Sequence, residues 1–238
     1  MKNLNDEAAM NICLQKCTKL LDYGKEKLRH LSNLCEVTYA REEYCVNSTF
    51  HRGVYHPSPV IDLLVGNTKR GMLRNRCPSN RQFTHRYKFD NKGALVKVET
   101  YFQGRVAYTE YLYYSEDKRI GVTIDNEMRL AAVTEETFAD NRIIEFSLMN
   151  CVLLGGKYEC INLQTETYYY DPIGLIESQL LQLTPAGMSL INDRYLWERE
   201  NGYLTAYTNT SCLRGQRTYQ VKKRRLAQSS LDMLGMPK

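Results

Sequence analysis

The sequence predicts a mainly β, α+β protein in which N-terminal helices pack on a long antiparallel β-meander of hairpin repeats. Three observations lead there. The first is a nine-residue grammar, Tyr87-Lys88-Phe89-Asp90-Asn91-Lys92-Gly93-Ala94-Leu95, which returns as Tyr168-Tyr169-Tyr170-Asp171-Pro172-Ile173-Gly174-Leu175-Ile176. Alternating aromatics suit a pleated face of period two, Asp opens a turn, and Gly supplies a left-handed backbone position, so each copy reads as strand, turn, strand. The second is a run of turn signals from Asp90-Asn91-Lys92-Gly93 to Glu200-Asn201-Gly202, separating short apolar stretches at meander spacing. The third is a change of period near the N-terminus: Ala8, Ile12, Leu20, Leu21, Leu28, Leu31 and Leu34 recur at helical intervals.

Taken in order, residues 1–45 form a helical arm, with Asn5 or Asp6 placed to cap it and Gly24 as a break between two helices. Residues 46–83 are broken by Pro57, Pro59, Gly66, Gly71 and Pro78 and read as an irregular basic linker or docking segment. The meander spans 84–226, with strands expected at 84–89, 94–102, 106–114, 119–124, 128–135, 142–149, 157–163, 166–170, 174–183, 194–199 and 203–209, and a last one around Tyr219 and Val221. Weaker copies of the opening grammar begin at Tyr111, Val122 and Tyr195. Residues 227–238 read as a flexible tail.

Composition excludes wholesale disorder, because 43% hydrophobic and 25% charged residues are ordinary for a globular chain. The unusual feature is 18 Tyr against 6 Phe and 1 Trp. Tyrosine joins β-propensity to a polar tip, which favours half-exposed sheets and binding faces. Charge is segregated: 12 Lys/Arg against 8 Asp/Glu give +4 over residues 1–80, 13 against 18 give −5 over 81–210, and 7 against 1 give +6 over 211–238. The N-terminal residues lack an apolar leader and no long apolar run follows, so no membrane association is expected and the expected compartment is the cytoplasm. Eight cysteines in that setting read as free thiols.

No catalytic motif stands out. His51 and His56 sit in the densest histidine stretch, Phe50-His51-Arg52-Gly53-Val54-Tyr55-His56, but with no C-x-x-C and no zinc spacing the expectation is neither metal nor cofactor. Cys13 and Cys17, one helical turn apart, read as small apolar residues. Glu135 and Glu136 are neighbours on an expected strand, so they point to opposite faces and cannot share a site through that spacing. The chain is therefore expected not to be an enzyme; the enzymatic alternative is a dispersed site in which His51 or His56 meets a carboxylate in a pocket. A second alternative is nucleic-acid binding through the basic clusters 69–88 and 214–225, which include Arg70, Arg74, Arg76, Arg214, Arg217, Lys222, Lys223, Arg224 and Arg225. The net-acidic stretch between those clusters opposes it.

The aromatic-x-aromatic-Asp-x-x-Gly-x-aliphatic segments resemble the tyrosine-aspartate hairpin repeat of bacterial Rhs-type proteins, and the small size with a helical arm is similar to immunity (antitoxin) proteins of bacterial toxin systems that carry open β-meanders. The resemblance spans roughly residues 84–210. It implies a cytoplasmic, non-enzymatic protein-binding module that neutralises a partner toxin domain by occlusion. On that reading Tyr101, Tyr108, Tyr111, Tyr113, Tyr168, Tyr170, Tyr195, Trp197 and Tyr203 are the candidate anchors, since large amphipathic side chains lose little entropy on binding. The acidic sheet suits a basic toxin and the basic ends suit an acidic partner; the sequence leaves both open.

Overall fold

A computed structural model describes residues 4–31, 39–64, 69–79, 84–185, 189–211 and 215–226. One long helix, α1 (Leu4–Arg29), precedes a short strand β1 (Arg41–Val46), a single-turn helix α2 (Ile61–Leu64) and a three-residue strand β2 (Met72–Arg74). The meander follows as β3 (Thr84–Phe89), β4 (Leu95–Phe102), β5 (Arg105–Tyr114), β6 (Lys118–Asp125), β7 (Leu130–Ala139), β8 (Arg142–Leu154), β9 (Lys157–Asp171), β10 (Gly174–Thr184), β11 (Ser189–Glu200), β12 (Tyr203–Ser211) and β13 (Gly215–Leu226). All lie in one 13-stranded antiparallel sheet, each strand from β3 to β13 beside its sequence neighbour, with β1 and then β2 added outside β3.

The turns explain why the meander forms where the sequence places it. Gln103-Gly104, Asp140-Asn141, Gly155-Gly156 and Asn201-Gly202 each hold positive φ at both residues. They are two-residue hairpin links whose backbone twist matches that of the flanking strands. The Asp-led turns work differently. Asp90 Oδ1 accepts the backbone N–H groups of Lys92 and Ala94, each at 2.9 Å, while Gly93 takes φ 81°. Asp125 Oδ1 accepts those of Glu127 and Arg129, again at 2.9 Å, and Met128 takes φ 63°. The two turns are built alike, but the second puts a side chain where the first has glycine.

Several expectations need correction. The helical arm stops at Arg29, and residues 41–46, expected to be helical, are strand β1. Pairing with β3 decides this: Cys45 is buried opposite His85, and Glu42 takes Arg86 at 2.6 Å from its neighbouring strand. Tertiary pairing of this kind overrides the helical preference of an Arg-Glu-Glu run. Gly24 does not break α1; a Cβ there would lie 2.6 Å from Val133 Cγ2, so the glycine lets the helix approach β7 closely. The expected strands 157–163 and 166–170 are continuous as β9. Much of the 46–83 segment is not a surface linker, since Arg52, His56, Ser58, Val60, Ile61 and Asp62 are buried. The tail 227–238 lies outside the described residues.

The sheet is covered on both faces. On one, Cys13, Cys17 and Leu20 of α1 pack with Val122, Leu130, Val133, Met149 and Leu163. Cys13 and Cys17 serve there as small core residues, with Cys17 Sγ 3.3 Å from Cys160 Sγ. On the other face the strap 47–64 runs across the strands: the Tyr87 hydroxyl of β3 donates to the Arg52 carbonyl, Ser58 bonds Glu166 of β9, and Val60 joins a cluster with Phe146, Tyr168, Tyr195, Trp197 and Leu204. β7 records the alternation directly. Glu135 turns to Lys16 and Lys19 of α1, whereas Thr134 and Glu136 turn to Arg52 of the strap.

Met128 supplies a test of the turn logic. A left-handed non-glycine residue costs about 1 kcal/mol, and the Met128 side chain is exposed. Met128→Gly is therefore expected to raise stability by about 1 kcal/mol in urea unfolding, and Gly93→Ala to lower it by a similar amount.

Candidate functional site

The strap brings its most polar residues to the centre of the sheet. Arg52 and Gly53 both adopt left-handed conformations, φ 57° and 54°, which turn the chain sharply and direct the Arg52 side chain inward. The guanidinium is fully buried. Its Nε donates to Glu110 Oε2 at 2.7 Å and its Nη2 to Glu110 Oε1 at 2.6 Å, a bidentate pair. Nη2 also reaches Thr134 Oγ1 at 2.6 Å, and Nη1 donates to Glu136. Glu136 in turn accepts from Arg119, whose Nε lies 2.9 Å from Oε2. Two arginines and two glutamates thus form one buried, charge-balanced chain.

Electrostatics follow from that geometry. Burial alone raises a carboxyl pKa, but at Glu110 the Arg52 charge and His51 outweigh it and hold the group well below the usual range. Glu136 is likewise lowered, burial being overcome by Arg119 and Arg52. Arg52 itself is raised, its desolvation outweighed by the two carboxylates. Room for the network comes from Gly121, where a Cβ would fall 2.0 Å from Glu110 Oε1 and 2.4 Å from Thr134 Oγ1.

Beside the network, between strap residues 48–52 and strands β4 to β9, lies a cleft of about 770 Å³. Phe50, Tyr101, Ala107 and Ala132 supply much of its apolar wall, and the exposed side chains of Phe102, Tyr108 and Ile161 stand at its margin. Its polar lining includes His51, Arg52, His85, Glu110, Thr123 and Asn150. His51 Nε2 is 3.2 Å from Glu110 Oε2. That approach is an ion-pair distance and not an aligned hydrogen bond: both ring nitrogens of His51, and Thr123 Oγ1, are buried without a hydrogen-bond partner. His85, at the same cleft, has Nδ1 3.1 Å from Thr100 Oγ1, and burial together with His51 lowers its pKa to about 4.

A second buried carboxylate lies farther along the strap. Glu166 accepts from Ser58, from the Tyr168 hydroxyl at 2.6 Å and from Gln164 Nε2 at 2.8 Å. Its partners are hydroxyls and an amide, and burial raises its pKa despite them. His56 is enclosed next to Phe146, with its pKa lowered first by burial and then by Arg70.

The predicted partner anchors separate by burial. Tyr101, Tyr111, Tyr168, Tyr195 and Trp197 are buried. Tyr168, Tyr195 and Trp197 lie in the cluster beneath the strap, and Tyr111 packs with Leu31 and Ile124. Tyr113, Tyr170 and Tyr203 are half-buried, and Tyr108 alone of the nine is exposed. These five buried rings belong to the chain's own interior and offer no surface to a partner. Among the basic candidates, Arg70 is turned inward to Asp62 Oδ1 at 3.1 Å and to the carbonyls of His56 and Ser58. Arg74, Arg76, Arg217 and Lys222 are exposed. Arg214 lies outside the described residues, as do the side chains of Lys223, Arg224 and Arg225 on β13. The sequence singled out His51, and Glu136 only as the neighbour of Glu135 on the opposite face, but not Arg52, Glu110, Arg119 or Thr123. The available signal was the strand alternation that puts Glu110 and Glu136 on one face, which needs the register to be used.

No protein-family model matches this chain, and no curated protein matches it in sequence. Among the described residues no three His, Cys, Asp or Glu side chains gather as a metal ion requires, and no helix is long and apolar enough to cross a membrane.

Two substitutions test this arrangement. Gly121→Ala forces a methyl group into the ion network and is expected to cost about 3 kcal/mol or more in chemical unfolding. Glu166→Gln is expected to stabilise. Because the folded-state pKa of Glu166 lies above its unfolded value, wild-type stability is lost as pH rises through that interval. The variant should match wild type at acidic pH and exceed it at neutral pH, read from melting curves across pH.

Proposed function

We propose that this protein is a small-molecule-binding protein that takes up a mostly apolar ligand between the strap and the sheet. The supporting observation is the cleft itself: about 770 Å³, lined by apolar side chains interspersed with polar ones from the strap and from several strands, with exposed Phe102, Tyr108 and Ile161 among its lining residues. That size and composition are those of ligand sites generally. The charge-balanced network beneath holds part of the polar lining in place, because bidentate and buried contacts fix the Glu110 carboxylate.

The toxin-occlusion expectation called for an outward tyrosine surface. With Tyr101, Tyr111, Tyr168, Tyr195 and Trp197 inside, that surface contracts to Tyr108 and its neighbours at the cleft. The ligand reading uses the same exposed residues and also accounts for the cavity behind them. The enzymatic alternative required His51 or His56 beside a carboxylate; the His51–Glu110 contact has that form and lies in the same cleft, so it is a use to which this site is suited once a ligand is bound.

Titration with N-phenyl-1-naphthylamine, a neutral apolar dye, tests the proposal. Wild type is expected to bind it with fluorescence enhancement, and Ala107→Trp, which fills the cleft from β5, to weaken binding at least about tenfold while melting as wild type does. Equal binding by both proteins would place the dye elsewhere and remove the proposal.

A further inference from the structure

Independently of the cleft, the geometry points to Cys17 and Cys160 as an oxidation site: a dithiol that a peroxide converts to a disulfide, fastening α1 to β9. Cys17 Sγ lies 3.3 Å from Cys160 Sγ, across 143 residues of chain. The sulfurs are already in contact, at a separation about 1.2 Å longer than the bond that would replace it. Packing holds them there: Leu20 of α1 and Leu163 of β9 belong to the same cluster, in which Cys17 is buried and Cys160 half-buried. The helix is otherwise fastened to the sheet by that apolar packing and by ion pairs from Lys16 and Lys19 to acidic residues of β7 and β8.

The two thiols differ in the way this chemistry needs. Cys17 is 6% exposed and Cys160 is the more open of the pair, so an oxidant meets Cys160 first and water stabilises a thiolate there. The hydrogen bond from Cys17 lowers the Cys160 pKa, and the same contact together with burial raises that of Cys17. The Cys160 thiolate attacks one oxygen of hydrogen peroxide, breaking the O–O bond and leaving a sulfenic acid and hydroxide. The Cys17 sulfur then attacks the Cys160 sulfur; the S–O bond breaks, hydroxide leaves and the S–S bond forms. The two thiol protons join the two peroxide oxygens to give two waters, each sulfur losing one electron and the peroxide gaining two. Neighbouring thiols are less suited. Cys13 is 2% exposed and burial raises its pKa. Cys151 stands opposite Cys160 in the β8–β9 register, but its Sγ lies 3.5 Å from the Leu130 carbonyl oxygen and burial pushes its pKa up to about 12.

Treatment with hydrogen peroxide, alkylation of the remaining thiols and tryptic mapping without reductant test the assignment. Wild type is expected to yield the peptides of Cys17 and Cys160 linked to each other, and to lose the link on adding dithiothreitol. The oxidised protein should melt about 5 °C or more above the reduced one, because a bond closing so long a loop restricts the unfolded chain. Cys160→Ser and Cys17→Ala should each abolish that rise, and Cys151→Ser should retain it; Cys160→Ser, at the half-buried position, keeps the test in hand if Cys17→Ala folds poorly. A link from Cys160 to Cys151 or Cys13, or Cys17 and Cys160 both recovered alkylated after peroxide, overturns the assignment. So does a rise in melting temperature that survives in Cys160→Ser. Linked peptides without a higher melting temperature overturn the fastening of α1.

Discussion

Taking the Arg52 guanidinium fully out of water is costly, and removing one partner of a buried ion pair costs ~3–5 kcal/mol. The chain offsets that penalty by surrounding Arg52 with Glu110, Glu136 and Thr134, and by giving Glu136 a second guanidinium from Arg119. Much of the architecture is arranged around this requirement. Left-handed Arg52 and Gly53 aim the side chain, Gly121 leaves the space, and the strap must lie flat on the sheet for the contacts to close. A chain slipped by one residue in β5 or β7 would turn Glu110 or Glu136 to the other face and strand the charge.

That constraint makes the strap structural. Arg70 clamps the strap through Asp62 and the carbonyls of His56 and Ser58, while Ser58 receives the backbone N–H of Ile61 at the start of α2 and bonds Glu166 below. On the far face α1 is fixed by its apolar stripe and by Lys19 to Glu135 at 2.9 Å. A sheet held from both sides leaves an opening where the strap begins, and there Phe50 and His51 form one side of the cleft. The polar groups at that place are held by a network that cannot shift without exposing a buried charge, which is the kind of preorganisation a binding site requires.

The turns were the most legible part of the sequence. Asn-Gly, Gly-Gly and Asp-Asn pairs and the Asp90 and Asp125 turns are decided within four or five residues, so their residue types report the backbone directly. The opposite orientation of Glu135 and Glu136 was also readable, as a consequence of strand pleat. The site was only half visible. His51 stood out by composition, but its partner Glu110 lies 59 residues away in the chain and is one of many acidic residues on strands. The tyrosines are ambiguous for a related reason: their amphipathic character fits a binding face and a half-buried core equally well, and the covering of the second face by residues 47–64 placed Tyr168, Tyr195 and Trp197 inside.

Local chemistry, then, determined that this chain is an antiparallel meander preceded by a helix, because turn and strand preferences act over a few residues and are written in consecutive side chains. Tertiary structure alone decided where α1 ends and β1 begins, which residues the strap buries, and which histidine meets a carboxylate. Those outcomes depend on burial and on charge pairing between segments such as Arg52 and Glu136, separated by 84 residues. Such energies are set by what arrives from elsewhere in the fold, and no stretch of sequence carries them on its own.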